Sequence, residues 1–258
     1  MKKTEFTPAD QSTAFFADPT DLNDIFRDIL PVIFHKLKNK LTPIIGYTQI
    51  LKSRAHDVAE IERLEKIENN ANELTALLNI LKDYFKIEPN SKRPGNINRI
   101  VSKLQPGWQK AADADHVDLR FDLSPAVPNM PLHRGQIELL LHHLVGNAWT
   151  AVQLKKNPLK EISLATRFED SRVKLVIRDN GVGMEQTDLD NIWAPFYAKF
   201  QNRAGLGLVI CEKVLAHHDG TCRVRSRHGE FTEFEIDFPM PQKRQKKQTD
   251  TNRQTDKK

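Results

Sequence analysis

VIRDNGVGM, residues 176–184, decides how the chain is read. Val173, Leu175 and Ile177 alternate along the strand that leads into it, and Asp179 falls on their apolar face. An inward carboxylate costs several kcal/mol unless hydrogen bonds compensate it. Gly181 and Gly183 follow at once and allow tight backbone and close approach. An ordinary Asp-Asn-Gly turn would leave the same trace, so the stretch gains meaning only from what surrounds it.

Working outward, RVKLVIRD (172–179) is one of several alternating segments. VDLRFDL (117–123), EISLATRF (161–168) and strands near 221–227 and 231–238 are the others. Helical periods cover about 97–113, 134–155 and 206–217. Short turns between neighbouring strands predict a mixed, mainly antiparallel sheet with helices gathered on one face, an α+β sandwich. On the helix IELLLHHLVGNAWTAV (137–152), Ile137, Leu140, Leu141, Leu144, Ala148 and Ala151 form the apolar face. Asn147 stands at its edge, one turn beyond His143. An amide oxygen there suits Mg²⁺, which also takes phosphate oxygens and water; an exposed asparagine is the plainer alternative. In RAGLGLVICEKVLAHHDG (203–220), Gly205 and Gly207 precede an apolar-periodic helix, whose free N–H groups suit an anion.

Upstream the pattern is wholly helical. Leu30, Phe34, Leu37, Leu41, Ile44, Thr48 and Leu51 recur in steps of four and three. After a polar turn near 54–58, Ile67, Ala71, Leu74, Leu78, Leu81 and Phe85 do the same. Such seams predict an antiparallel hairpin capped at Thr20 or Asp21. Two helices enclose no core alone, so a second copy is expected to complete a four-helix bundle. His35 and Asn39 stack on a face beside the seam, and Pro31 and Pro43 are expected to bend the helix around them. The resulting division is a flexible arm (1–19), the dimerisation hairpin (20–88), a linker rich in Pro and Gly (89–96), the α+β domain (97–240) and a disordered basic tail (241–258).

Charge restricts the function classes. The net charge is +5, yet the last twenty residues alone hold seven Lys or Arg against two Asp. The remaining 238 residues are close to neutral, which argues against a nucleic-acid binder. No apolar run approaches a membrane span, so the expected compartment is cytoplasmic. Cys211 and Cys222 lack metal-ligand spacing and are expected to be buried, reduced thiols.

Taken together, the segments resemble the sensor histidine kinases, a branch of the superfamily that also holds gyrase and MutL. Asn147 matches the N box of the GHKL-type ATP-binding domain, DNGVGM the first glycine box, IWAPFY the F box and GLGL the second glycine box. HKLKNKLTPIIGY in the hairpin resembles the H box, and residues 20–88 the dimerisation and histidine-phosphotransfer hairpin. The resemblance implies a dimeric two-component kinase that uses Mg-ATP to phosphorylate His35 and passes the phosphoryl group to an aspartate of a response regulator receiver domain. It implies that Asp179 binds the adenine amino group, that Asn147 holds Mg²⁺, and that Gly181 and Gly183 let backbone approach the nucleotide. Gly205 and Gly207 would form the phosphate-side hinge of a lid over roughly 185–204, with Leu206 and Leu208 among the nucleotide-binding residues. Asn39 would position water for removing the phosphate.

Several positions depart from the family pattern. Lys36 stands where an acidic residue usually follows the phosphoacceptor, and Lys40 where a proline is common. His143 replaces a second asparagine, and His133 a commonly acidic residue before the N-box helix. Lys199 and Arg203 are candidate phosphate-facing cations in the lid, alongside His143. The Lys36 exchange keeps an alternative open: a kinase-deficient ATP-binding phosphatase or regulatory scaffold for a receiver domain. With nineteen residues before the hairpin, the signal is expected from the arm, the bundle or a separate sensory protein.

Overall fold

The computed structural model describes residues 4–6, 19–85, 92–156, 159–195, 197 and 205–240. Two long helices open it: α1 (Pro19–Lys52) and α2 (Val58–Phe85), packed as a hairpin. The helix begins at Pro19, a residue whose fixed φ and missing N–H suit the first helical position. Thr20 and Asp21 therefore lie inside the first turn and not at the cap expected for them. The helix is continuous through Pro31 and Pro43.

The predicted seam separates into two rows, each with a period of seven. Phe34 and Thr48 on α1 and Ala71 on α2 are buried, with Leu41 and Leu78 half-buried. Leu64, not counted in the seam, is buried with them. The other row faces away: Leu37, Ile44, Leu51, Ile67 and Leu74 are 44–53% exposed. At the turn, Lys52 pairs with Glu65 at 2.9 Å, and Gln49 donates to Glu68 at 2.9 Å.

The α/β unit holds β2 (Arg93–Gly95), α3 (Ile97–Asp115), β3 (Val117–Leu123), β4 (Met130–Leu132), α4 (Arg134–Leu154), β5 (Lys160–Glu169), β6 (Arg172–Asp179), α5 (Gln186–Asn191), α6 (Gly207–His217), β7 (Thr221–Arg227) and β8 (Phe231–Pro239). A further strand, β1 (Thr4–Phe6), pairs antiparallel with Cys222–Val224. The six-stranded sheet runs β1-β7-β8-β6-β5-β3, and only β3 and β5 among these neighbours are parallel. β2 and β4 form a separate pair. β1 lies within the expected arm and β2 within the expected linker. Three-residue strands carry too little alternation to show as a period, and pairing with a distant partner forms them.

One sheet face is apolar. Val173, Leu175 and Ile177 of β6 meet Leu164 of β5 and Ile236 of β8 beneath α4 and α6. The opposite face carries crossed charges: Arg178 with Glu233, and Arg223 with Glu235, both at 3.1 Å. Alternation alone produces this split, because successive side chains point to opposite faces. α3 is anchored by Asn96, whose side chain accepts the Asn98 N–H at 2.9 Å and donates to the Val127 carbonyl at 2.8 Å. Cys211 and Cys222 are buried free thiols, and burial pushes both thiols up.

Candidate nucleotide site and phosphoacceptor face

Asp179 ends β6 in the middle of the sheet, opposite Ile162 on one side and Thr232 on the other. It is 4% exposed. Burial pushes its carboxyl up to about 7, opposed by the Gly181 and Thr232 backbone N–H groups and by the charges of Arg178 and Lys155. The Gly181 N–H donates to Oδ1 at 2.9 Å. The ordinary turn and the inward carboxylate are thus present in one residue. A carboxyl of this kind can accept a hydrogen bond from an amino group and gain more from it than an exposed one would.

The two glycines after it are required by their protein neighbours. A Cβ on Gly181 would lie 2.4 Å from the Ala151 carbonyl carbon, and the next N–H, of Val182, donates to the Ala151 oxygen at 3.1 Å. Gly183 has φ +60°, and a Cβ there would lie 2.1 Å from the Arg227 oxygen. The Gly229 N–H closes the contact on Val182 at 2.7 Å. The close approach each glycine permits here is to α4 and to the β7–β8 turn. That geometry fastens the loop bearing Asp179 to two elements at once.

α4 and α6 run antiparallel beside this loop. Asn147 and His143 are half-buried on α4, one turn apart. The His143 imidazole abuts the first residue of α6: a Cβ on Gly207 would meet its Nδ1 at 3.1 Å. Gly205 adopts φ +63°, the left-handed region, so the chain turns sharply into α6 there. Leu206 is buried, and Leu208 packs on the core. Lys199 and Arg203 lie outside the described residues. Among the described residues, no three His, Cys, Asp or Glu side chains gather as a metal cage. Mg²⁺ commonly uses few protein ligands together with phosphate and water, and the Asn147 amide fits that mode.

His35 and Asn39 are exposed on α1, and Asn39 Nδ2 lies 3.3 Å from His35 Nδ1. Lys36 is exposed beside them. These three residues belong to the hairpin; Asn147, Asp179 and the glycines belong to α4, β6, the loops and α6.

Three further residues shape the site. Asn180 accepts the Glu161 N–H and donates to the Leu159 carbonyl, both at 2.9 Å, fixing the turn against β5. Lys155 Nζ donates to the Asn180 carbonyl at 2.6 Å. Thr232 supplies its N–H to Asp179. Its inward position was legible from the alternation with Phe234, Ile236 and Phe238, whereas Lys155, just past α4, carries no periodic signal.

Residues 133–242 match the family described as "Histidine kinase-, DNA gyrase B-, and HSP90-like ATPase", so this part of the chain is an ATP-binding domain of that class. The signal transduction histidine-protein kinase AtoS of Escherichia coli (strain K12) is 24% identical over 214 residues, covering 83% of this chain and 34% of AtoS. The full-length ShkA structure, in complex with AMPPNP, superposes with a TM-score of 0.63 at 20% identity, over 83% of this chain and 46% of ShkA. Histidine kinase ThkA, in complex with response regulator protein TrrA, gives 0.57 at 19% identity, over 86% and 64%. Over most of its length the chain is thus similar to sensor histidine kinases. It spans about a third of the length of AtoS, and no helix among the described residues is long and apolar enough to cross a membrane.

Proposed function

We propose that this chain is a dimeric ATP-dependent protein-histidine kinase that phosphorylates His35 and passes the group to an aspartate of a response regulator receiver domain. The observation that carries the reading is the exposed His35–Asn39 pair on a helical hairpin, in a chain whose other unit is an ATP-binding domain. A neutral imidazole nitrogen of His35 attacks the γ-phosphorus in line. The bond to the β,γ-bridging oxygen breaks, ADP leaves, and the nitrogen becomes a phosphoramidate. Positioning and electrostatics do most of the work in such transfers.

In this reading Asp179 accepts from the adenine amino group, and Asn147 would hold Mg²⁺. His143 sits at the joint between α4 and Gly207, close to where phosphates would lie on the α6 N-terminus. Mg²⁺ would neutralise charge on the phosphates. Gly205 and Gly207 would form the hinge of a lid over roughly 185–204, whose sequence carries the positive charges of Lys199 and Arg203. The receiver-domain partner is supported by ThkA, which was solved with its response regulator. The half-exposed row on α1 and α2 supports pairing through residues 20–88. We take residues 20–88 as the hairpin, 97–240 as the ATP-binding domain and 241–258 as a basic tail; the pairing of β2 with β4 supports counting Arg93–Gly95 with the second unit.

Lys36 favours a second reading. A charged lysine cannot draw the proton from the imidazole, while Asn39 remains placed to orient water, as a phosphatase acting on a receiver domain requires. Incubation with γ-labelled ATP separates the two, comparing wild type with His35→Ala, Asn147→Ala and Lys36→Glu. Acid-labile, base-stable label that is lost in the first two variants supports the kinase, and Lys36→Glu then labels faster. Nucleotide binding without label, with loss of phosphate from a phosphorylated receiver domain, supports the phosphatase. Failure to bind ATP sinks both.

A further inference from the structure

At the end of the α4–α6 pair remote from Asn147, hydrogen bonds link four residues of the two helix ends. His133 caps α4, its Nδ1 accepting the Gln136 N–H at 3.2 Å. The His133 N–H in turn donates to His218 Nε2 at 3.0 Å. His218 Nδ1–H donates to the Val214 carbonyl at 2.8 Å, which fixes a single neutral tautomer. The Gln136 side-chain oxygen accepts from His217 Nδ1. Gln136 and His218 are each 3% exposed. Within ten residues of sequence on each helix lie His143 and Gly207, already in contact. The cluster and that contact are therefore the two ends of one helix–helix joint.

Two of its bonds exist only while an imidazole nitrogen is bare. A proton on His133 Nδ1 removes the cap of α4. One on His218 Nε2 puts a donor against the His133 N–H. We propose that His133, Gln136, His217 and His218 are positioning residues of a proton-sensitive clamp, which holds α6 against α4 and so keeps the phosphate end of the nucleotide site assembled. This deepens the function proposed above and rests on it for the nucleotide, though not for the clamp itself.

The groups around His218 reinforce the effect. His217 and Phe238 pack against its ring edge-to-face, at 5.2 and 6.1 Å. His217, Lys92 and His133 all press against a positive charge there, and burial is the largest cause that pulls His218 down to about 4. Asp219 is the neighbouring carboxylate, and it is engaged with Lys92 at 3.3 Å. The closed clamp therefore resists the proton, whereas an opened one takes it up near the ordinary histidine value. Between that value and about 4, each pH unit downward favours the open form about tenfold.

The test measures ATP affinity of the full chain by calorimetry at pH 7.5 and 5.5, in wild type and in the His133→Asn, His218→Asn double variant. Asparagine can cap and can bridge the same groups, but does not titrate. Asp179 titrates equally in both proteins and cancels in the comparison. Wild type is expected to lose more affinity on acidification than the variant, by up to about tenfold, within the usual range of coupling between sites; parallel losses overturn the proposal. A second readout needs neither nucleotide nor variant. In NMR titration of the wild type, the His133 and Gln136 amide signals are expected to move with the His218 imidazole. An imidazole that titrates in the folded chain while those amides stay put also overturns it. If ATP binds at no pH, the nucleotide reading fails, and the amide titration still decides the clamp.

Discussion

Asp179 combines two demands that conflict energetically. Its carboxyl is pushed up to about 7 by burial, from an ordinary value of 3.8. Between those values the folded state holds a proton that the unfolded state has lost, so this group's effect lowers stability as pH rises through that window. His218 acts in the opposite sense. It is pulled down to about 4 from 6.5, so its contribution is present above 6.5 and is lost as pH falls toward 4. Replacing Asp179 with Asn removes the first cost. The variant is expected to lose ATP binding and yet unfold at higher denaturant than wild type at pH 8, by about 4 kcal/mol at most. At pH 4 the gain should vanish. Urea titrations at the two pH values, beside an ATP-binding assay, measure this. A variant that is less stable at pH 8 would show that the buried carboxylate is net stabilising.

At the scale of elements, glycine positions distinguish packing from local conformation. Gly181 and Gly183 press on backbone atoms that have no room to yield, at 2.4 and 2.1 Å from an added Cβ. Gly181→Ala and Gly183→Ala should each destabilise the α/β unit by about 2 kcal/mol or more, the range of strained or overpacked sites. Gly107, inside α3, meets nothing within 4 Å, so Gly107→Ala should stabilise by about 0.5–1 kcal/mol. Thermal melts of the three variants test the contrast. Much of this scale was legible in the sequence. β6 runs over residues 172–179 as its alternation predicts, and Asp179 faces inward with Ile177. What stayed hidden depends on long-range partners. The segment at 93–95 is a strand because 130–132 lies beside it, and the glycine requirement at 181 comes from Ala151, thirty residues away. His133 showed as an odd residue in the sequence, but its role depends on His218 across the α4–α6 joint.

For the whole molecule, the hairpin poses the largest question. A seam of steps four and three should present one continuous stripe, but α1 and α2 bury one row of it against each other and leave the second row half-exposed. Leu37, Ile44 and Leu51 follow one another at intervals of seven, as do Ile67 and Leu74 on the facing helix. A monomer gains nothing from keeping that period, whereas a second hairpin laid against it buries both rows in a four-helix core. Each contact would then occur twice in a symmetric pair. Leu37→Lys with Leu74→Lys places four ammonium groups in the proposed interface. Sedimentation should shift from twice 29.6 kDa toward the single chain, with dimerisation weakened at least about tenfold. ATP affinity should persist, because the α/β unit has its own core of Ile137, Leu140, Leu175 and Ile236. Labelling of His35 in this monomer then shows how the two units cooperate. Label that falls with the dimer means one chain phosphorylates its partner, and label that survives means each chain phosphorylates itself. Sedimentation unchanged from wild type would refute pairing through this row.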